Sequence, residues 1–188
     1  MNTTYIAFLR GINVGGKNSI KMAELKKMFE GMGFQGVQTY IQSGNVIFES
    51  EDDEEFLHKA IEQKINAVFG LEVKVILRTV GELEQIIANC PFSEEKILEA
   101  ETQSKVESLY VAMLEREPLQ EGIAKFGTYK SGTDDFCISG RDVYLLFFNS
   151  IRNSKLANGL DKLGIPSTVR NWKTLNKLVS MAADNNER

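Results

Sequence analysis

The feature that most constrains the fold of this chain is that its second half repeats the pattern of its first, with the connections shortened. Tyr5-Ile6-Ala7-Phe8-Leu9 matches Tyr110-Val111-Ala112-Met113-Leu114 at an offset of 105 residues. Asn45-Val46 matches Asp142-Val143 at 97, and Arg78-Thr79-Val80 matches Arg170-Asn171-Trp172 at 92. A steadily falling offset is what a duplicated unit with shorter loops in its second copy produces.

The local pattern gives each copy the same order of elements. Thr4 to Arg10 reads as a buried strand, and a helix follows with Met22, Leu25, Met28, Phe29 and Met32 at helical spacing and Gly33 as its stop. Val37 to Gln42 and Val46 to Glu49 read as short strands around Ser43-Gly44-Asn45. A second helix runs from about Asp53 to Phe69 with Gly70 as C-cap, and the strand Glu72 to Arg78 leads to Thr79-Val80-Gly81-Glu82, which has capping-box spacing for a closing helix. The second half reads as strand Ser108 to Glu115, helix Leu119 to Phe126, strands Asp135 to Ser139 and Val143 to Phe148, helix Leu156 to Leu163, strand Ser167 to Arg170 and helix Trp172 to Ala183. This order predicts an α+β fold of two tandem ferredoxin-like (βαββαβ) units, each followed by an extra helix: residues 1–92 and 93–188, with Pro91 to Lys105 as the connection. Strands such as Ile6-Ala7-Phe8-Leu9 and Leu145-Leu146-Phe147-Phe148 are apolar on both sides, so the second face of each sheet must be covered by the other half, the closing helices or a partner chain.

Charge and composition narrow the function classes. The formal net charge is −4, which argues against a chain that coats nucleic acid by neutralising phosphates. The stretch from Arg152 to Lys177 runs against the average, with Arg152, Lys155, Lys162, Arg170, Lys173 and Lys177 set against Asp161 alone. It reads as a solvated basic face or an anion-attracting surface. His58 is the only histidine and lies beside Asp52-Asp53-Glu54-Glu55, so it reads as a surface helical residue, and a histidine-rich metal site is excluded. Cys90 and Cys137 form no C-x-x-C motif, and nothing resembles a signal peptide or a membrane span; a reducing cytoplasm, no disulfide, no bound metal and no cofactor are expected.

Two polar segments are the candidates for chemistry. Gly11-Ile12-Asn13-Val14-Gly15-Gly16-Lys17-Asn18 follows a strand and fits G-x-x-x-x-G-K, but Asn18 stands where a P-loop needs Ser or Thr to hold magnesium, so nucleotide hydrolysis is not expected. The loop reads either as a phosphate cradle or as a structural connection. Thr39-Tyr40-Ile41-Gln42-Ser43-Gly44-Asn45 is rich in hydroxyls and amides suited both to turn bonding and to ligand contacts. In a βαββαβ unit the first βα loop and the turn between strands two and three lie at the same end of the sheet. The two segments therefore converge, and Arg10, Asn13, Gly15, Gly16, Lys17, Ser43 and Asn45 are the candidate ligand contacts. Arg170 and Lys173 join them only under an inverted packing of the halves. Asn171 reads as an N-cap and Trp172 as a core aromatic. No Ser/His/Asp or Cys/His arrangement is present, so no catalytic residue is named and the question of enzyme or binding protein stays open.

The strings LRGINVGGKN (9 to 18), TYIQSGNVIF (39 to 48), Pro91-Phe92 and TVRNWKTLNKL (168 to 178) resemble those of the domain-of-unknown-function family numbered 1697, over almost the entire chain and with no clear departure. The resemblance implies a bacterial-type cytosolic protein with a duplicated α+β fold and carries no catalytic residues. Three readings follow: binding of a small phosphate- or carboxylate-bearing ligand, a self-associating regulatory module or homodimer, and nucleic-acid binding through residues 152–177, which the overall charge and the lack of exposed strand aromatics disfavour.

Overall fold

A computed structural model describes residues 2–186. It is an α+β protein with two four-stranded antiparallel sheets. Among the described residues, 2–85 with 177–186 group by spatial proximity into one compact unit and 86–176 into the other.

The first sheet holds β1 (Thr3–Leu9), β2 (Gln35–Tyr40), β3 (Asn45–Ser50) and β4 (Val75–Thr79) in the order β2-β3-β1-β4. Helices α1 (Met22–Gly31) and α2 (Glu54–Phe69) supply Leu25, Met28, Phe29, Leu57, Ile61 and Ile65 to a core shared with Tyr5, Ala7 and Leu9 of β1. Phe48 anchors that core, with the Phe29 ring edge-on at 5.3 Å and Phe34 at 4.6 Å. A fully buried Phe of this kind contributes about 1.5–3 kcal/mol from its removal from water. Ile6 and Phe8, on the opposite side of β1, are also buried, so the strand is apolar on both sides for a structural reason.

Local signals account for the element ends. The Asp53 carboxylate accepts from Phe56 N–H at 2.8 Å and opens α2, and Gly70 at φ 67° closes it. Thr79 and Glu82 form the expected capping box: the Thr79 hydroxyl accepts from Glu82 N–H at 3.1 Å, and the Glu82 carboxylate accepts from Thr79 N–H at 2.8 Å. It opens α3 (Val80–Ala88). His58 is not the plain surface residue its acidic neighbours suggest. Its side chain is 19% exposed and its Nε2 lies 3.1 Å from Glu62 Oε1, while Glu62 also accepts from Val75 N–H at 2.9 Å and pairs with Lys74 at 3.1 Å. This cluster ties α2 to the start of β4.

The expected connection from Pro91 to Lys105 is instead largely a helix, α4 (Glu94–Gln103), capped by Ser93 and burying Ala100. The second sheet follows: β5 (Leu109–Leu114), β6 (Asp135–Ser139), β7 (Asp142–Leu146) and β8 (Ser167–Asn171), in the order β6-β7-β5-β8. Helix α5 (Gln120–Gly127) packs Phe126 into its core. The expected helix 156–163 is broken. A four-residue α6 (Lys155–Asn158), capped by Ser154, is followed by a 3-10 turn over Leu160–Leu163, and Gly164 at φ 72° ends it. These short pieces still bury Leu156, Leu160 and Leu163, so the apolar spacing served packing without a continuous helix. Asn171 caps α7 (Trp172–Asn186) by accepting from Thr174 N–H at 2.9 Å, and Trp172 packs beside Leu146 and Phe148.

The three sequence offsets recur in the register of the sheets. Ile6 lies opposite Arg78 as Val111 lies opposite Arg170, and Phe8 lies opposite Asn45 as Met113 lies opposite Asp142. Leu9 N–H donates to Gly44 O at 2.9 Å and Leu114 N–H to Arg141 O at 2.8 Å; Arg10 N–H donates to Lys74 O at 2.9 Å and Glu115 N–H to Pro166 O at 3.1 Å.

Candidate functional site at the end of the first sheet

The chain leaves β1 at Leu9 and does not enter α1 until Met22, and the residues between form a small closed structure. Asn13 N–H donates to Asn18 O at 3.1 Å and Lys17 N–H to Val14 O at 3.0 Å, so residues 13–18 make a miniature hairpin with Gly15-Gly16 at its tip. Gly15 at φ 58° and Gly16 at φ 73° meet the requirement of a two-residue I′ turn for positive φ at both central positions. Asn18, in the position of a P-loop hydroxyl, sits at φ 49° and donates its amide to Gly11 O at 3.2 Å, so it closes the loop.

The turn between β2 and β3 lies against this hairpin, and the convergence expected from topology is seen directly. The Asn13 amide nitrogen donates to Gln42 O at 2.8 Å and to Ile20 O at 3.0 Å, and its oxygen accepts from Ile20 N–H at 2.8 Å. Asn45 is fully buried and donates to Tyr40 O and to Ser43 Oγ, each at 2.9 Å. Gly44, at φ 81°, presses on the loop so closely that a Cβ there would lie 2.6 Å from Ile12 Cδ1 and 2.9 Å from Leu9 Cβ. Asn13 is therefore committed to joining the two loops, and Asn45 to bracing the β2–β3 turn from within. Their place is behind the surface, where they hold Ser43 and the hairpin in position.

Arg10, Gly15, Gly16 and Lys17 are among the exposed residues of the junction, together with Val14 at 65% and Ile41 at 49% of full exposure. Among the described residues, no acid pairs with Arg10 or Lys17. Helix α1 begins beside them at Lys21 without a side-chain cap. Ile41 sits at φ 48°, a left-handed conformation that is a genuine outlier for a β-branched residue. Neither the charge of Lys17 nor the glycines predicted this; the signal available was an isoleucine at the first position of a tight polar turn.

Arg170 and Lys173 find their partners within the second unit. Arg170 pairs with Val111 near the start of β5, whereas the βα loop of that sheet leaves from its other end. Its side chain is buried, donating to Thr168 Oγ1 at 2.7 Å and Val169 O at 2.9 Å, and burial pushes the guanidinium down to about 10. Lys173 pairs with Glu107 at 2.6 Å, a hydrogen bond that raises its pKa. With Lys162 beside Asp161 at 3.5 Å, the basic stretch is not one continuous unpaired face.

The second copy shows what the sheet end needs for folding alone. There residues 115–119 connect β5 to α5, the equivalent of Arg10 is Glu115, and the β6–β7 turn is the short Gly140-Arg141. The backbone bonds from Leu114 and Glu115 are kept, and the hairpin, both asparagines and the strained isoleucine are missing.

Among the described residues, no group of three or more His, Cys, Asp or Glu side chains is placed to hold a metal ion, and no helix is long and apolar enough to cross a membrane. Comparison with known proteins finds a family and a similar solved structure. A family described as a protein of unknown function (DUF1697) matches residues 1–144, and the chain belongs to it; the 168–178 string lies beyond the matched stretch. The structure of the conserved bacterial protein SP0830 from Streptococcus pneumoniae is similar at 26% sequence identity and a TM-score of 0.72, over 96% of this chain and 99% of that one. No functionally curated protein matches.

Proposed function

We propose that this member of the DUF1697 family binds a small anionic ligand, phosphate- or carboxylate-bearing, where the hairpin 13–18 meets the turn 41–44. The observation that carries the reading is the difference between the copies. The second sheet keeps the same terminal hydrogen bonds with a short acidic connection, so the elaboration in the first copy is not a requirement of the fold. An extended loop that a fold does not need, bearing two cations that no acid pairs among the described residues, beside an uncapped helix start, has the character of a binding element. Lys17 and Arg10 supply charge, the amides of Gly15 and Gly16 and the Ser43 side chain supply close polar contacts, and Asn13 and Asn45 position them.

The strand order β2-β3-β1-β4, repeated as β6-β7-β5-β8, supports assigning both sheets to the ferredoxin-like class in tandem. A cytoplasmic setting completes the reading, with Cys90 and Cys137 as free thiols. Self-association loses its motivation, because the second-face residues Ile6, Phe8, Ile47 and Ile76 are already buried in the single chain.

Native mass spectrometry of the freshly purified protein, followed by thermal-shift measurements with a panel of phosphorylated and carboxylated metabolites, tests the reading. Stabilisation by an anion that is lost in Lys17→Ala and kept in Lys125→Ala is expected. An unresponsive parent, or equal responses in parent and Lys17→Ala, contradicts it.

A further inference from the structure

Resting on that reading, we infer that the ligand is amphipathic: a soluble anion carrying a short apolar chain, of the class of alkyl phosphate esters and acyl carboxylates. Val14 and Lys17 are directly opposed across the hairpin. Opposed residues of an antiparallel pair present their side chains to the same face, about 4.5–5.5 Å apart at Cβ. One face of the hairpin thus pairs an exposed apolar group with an unpaired ammonium. Ile41 adds a second apolar group, because the Asn13–Gln42 hydrogen bond joins the residue before Val14 to the residue after Ile41.

The backbone at Ile41 supplies an independent reason to attach a role to this apolar pair. A left-handed φ of 48° is reached with little strain by Gly or Asn, whereas isoleucine is strained there and is only half buried, the residue being 49% exposed. An exposed, strained, apolar residue beside cations is what a site retains when the side chain meets a ligand. A purely ionic ligand would have no use for Val14 or Ile41; a purely apolar one would have none for Lys17 or Arg10.

Calorimetric titration of the full chain with inorganic phosphate and with methyl, propyl, butyl and hexyl phosphate tests this, alongside sedimentation with anionic phospholipid vesicles. Affinity is expected to rise with chain length by up to about fourfold per buried methylene. In Val14→Ser and in Ile41→Asn the chain-length dependence is expected to flatten while inorganic phosphate binds as before. Ile41→Asn is expected also to raise the melting temperature, because it relieves the strained backbone. Binding of inorganic and hexyl phosphate with equal affinity overturns the inference and leaves the anion site standing. So does an unchanged chain-length series in both variants, or a lower melting temperature in Ile41→Asn. Vesicle binding without affinity for the soluble esters overturns the soluble ligand, and no binding of any anion overturns the site itself.

Discussion

Arg78 and Arg170 hold the same register position in their two sheets, opposite Ile6 on β1 and Val111 on β5. Both are nearly buried, at 1% and 8% exposure, and each turns Nη1 back to the carbonyl of the preceding residue, Leu77 O at 2.8 Å and Val169 O at 2.9 Å. A guanidinium at such a site serves the fold, and its removal leaves buried acceptors without donors. Arg170→Met is expected to lower unfolding stability by about 1–3 kcal/mol for each acceptor left unsatisfied. Arg170→Lys should recover little of it, since an ammonium lacks the planar fork. Urea unfolding measures the loss, and anion binding by the folded variant should match the parent; a selective loss of binding would return Arg170 to the site.

The two kinds of glycine at the candidate site separate by substitution. Gly44→Ala meets both a positive φ and a Cβ position 2.6 Å from Ile12 Cδ1, so it should cost about 2–4 kcal/mol as overpacking adds to backbone strain. Gly15→Ala and Gly16→Ala meet open space and should cost only the conformational strain, about 1–2 kcal/mol. Thermal melts of the three variants check the order; equal losses would mean that the contact between the loops is looser than described.

Much of the fold was legible because its signals are local. Offsets in apolar strands reported the duplication, and Thr79 with Glu82, Asn171 and Gly70 marked helix ends by their own hydrogen-bonding chemistry. Helix α4 escaped because it buries only Ala100 and shows little apolar periodicity, although Ser93 followed by Glu94 and Glu95 is a readable helix start. Arg170 is buried although its charge suggested exposure. The alternation of β8 puts it on the buried side with Thr168, and its match to Arg78 in an otherwise apolar strand was the available clue. At the site, topology foretold which loops converge. Whether an asparagine faces ligand or backbone depends on tertiary hydrogen bonds that sequence does not carry.

Asp135 gives the second unit an acid-sensitive clasp. Burial pushes its carboxyl up, but hydrogen bonds from Lys130, Lys96 and Phe136 N–H outweigh that and hold it below the usual carboxylate range. A depressed folded pKa contributes stability above the unfolded value of about 3.9, and that stability is lost as pH falls through the folded value. Asp135→Asn should cost about 1–2 kcal/mol at pH 7, and the gap to the parent should close at acid pH. A gap independent of pH would show that the ionised carboxylate contributes nothing.

Tyr144 governs the alkaline side. Burial first, then the neighbouring Asp142, pushes its hydroxyl up to about 12, and the hydroxyl donates to Ile86 O at 2.7 Å. Because the folded pKa is raised, this stability is complete below the unfolded value of about 10 and is lost as pH rises from there through the folded value. Tyr144→Phe should lose about 1 kcal/mol at neutral pH and flatten the decline above pH 10. An unchanged alkaline branch would place that transition on another group.

The anion site itself is most directly tested by amide chemical-shift mapping of isotope-labelled protein titrated with inorganic phosphate at constant ionic strength. Saturable shifts at Gly15, Gly16, Lys17 and Ser43, absent at residues 115–119 and abolished in Lys17→Ala, are the expected result. Shifts that stay linear with concentration, or that appear equally at the second βα loop, would contradict a binding site at the first.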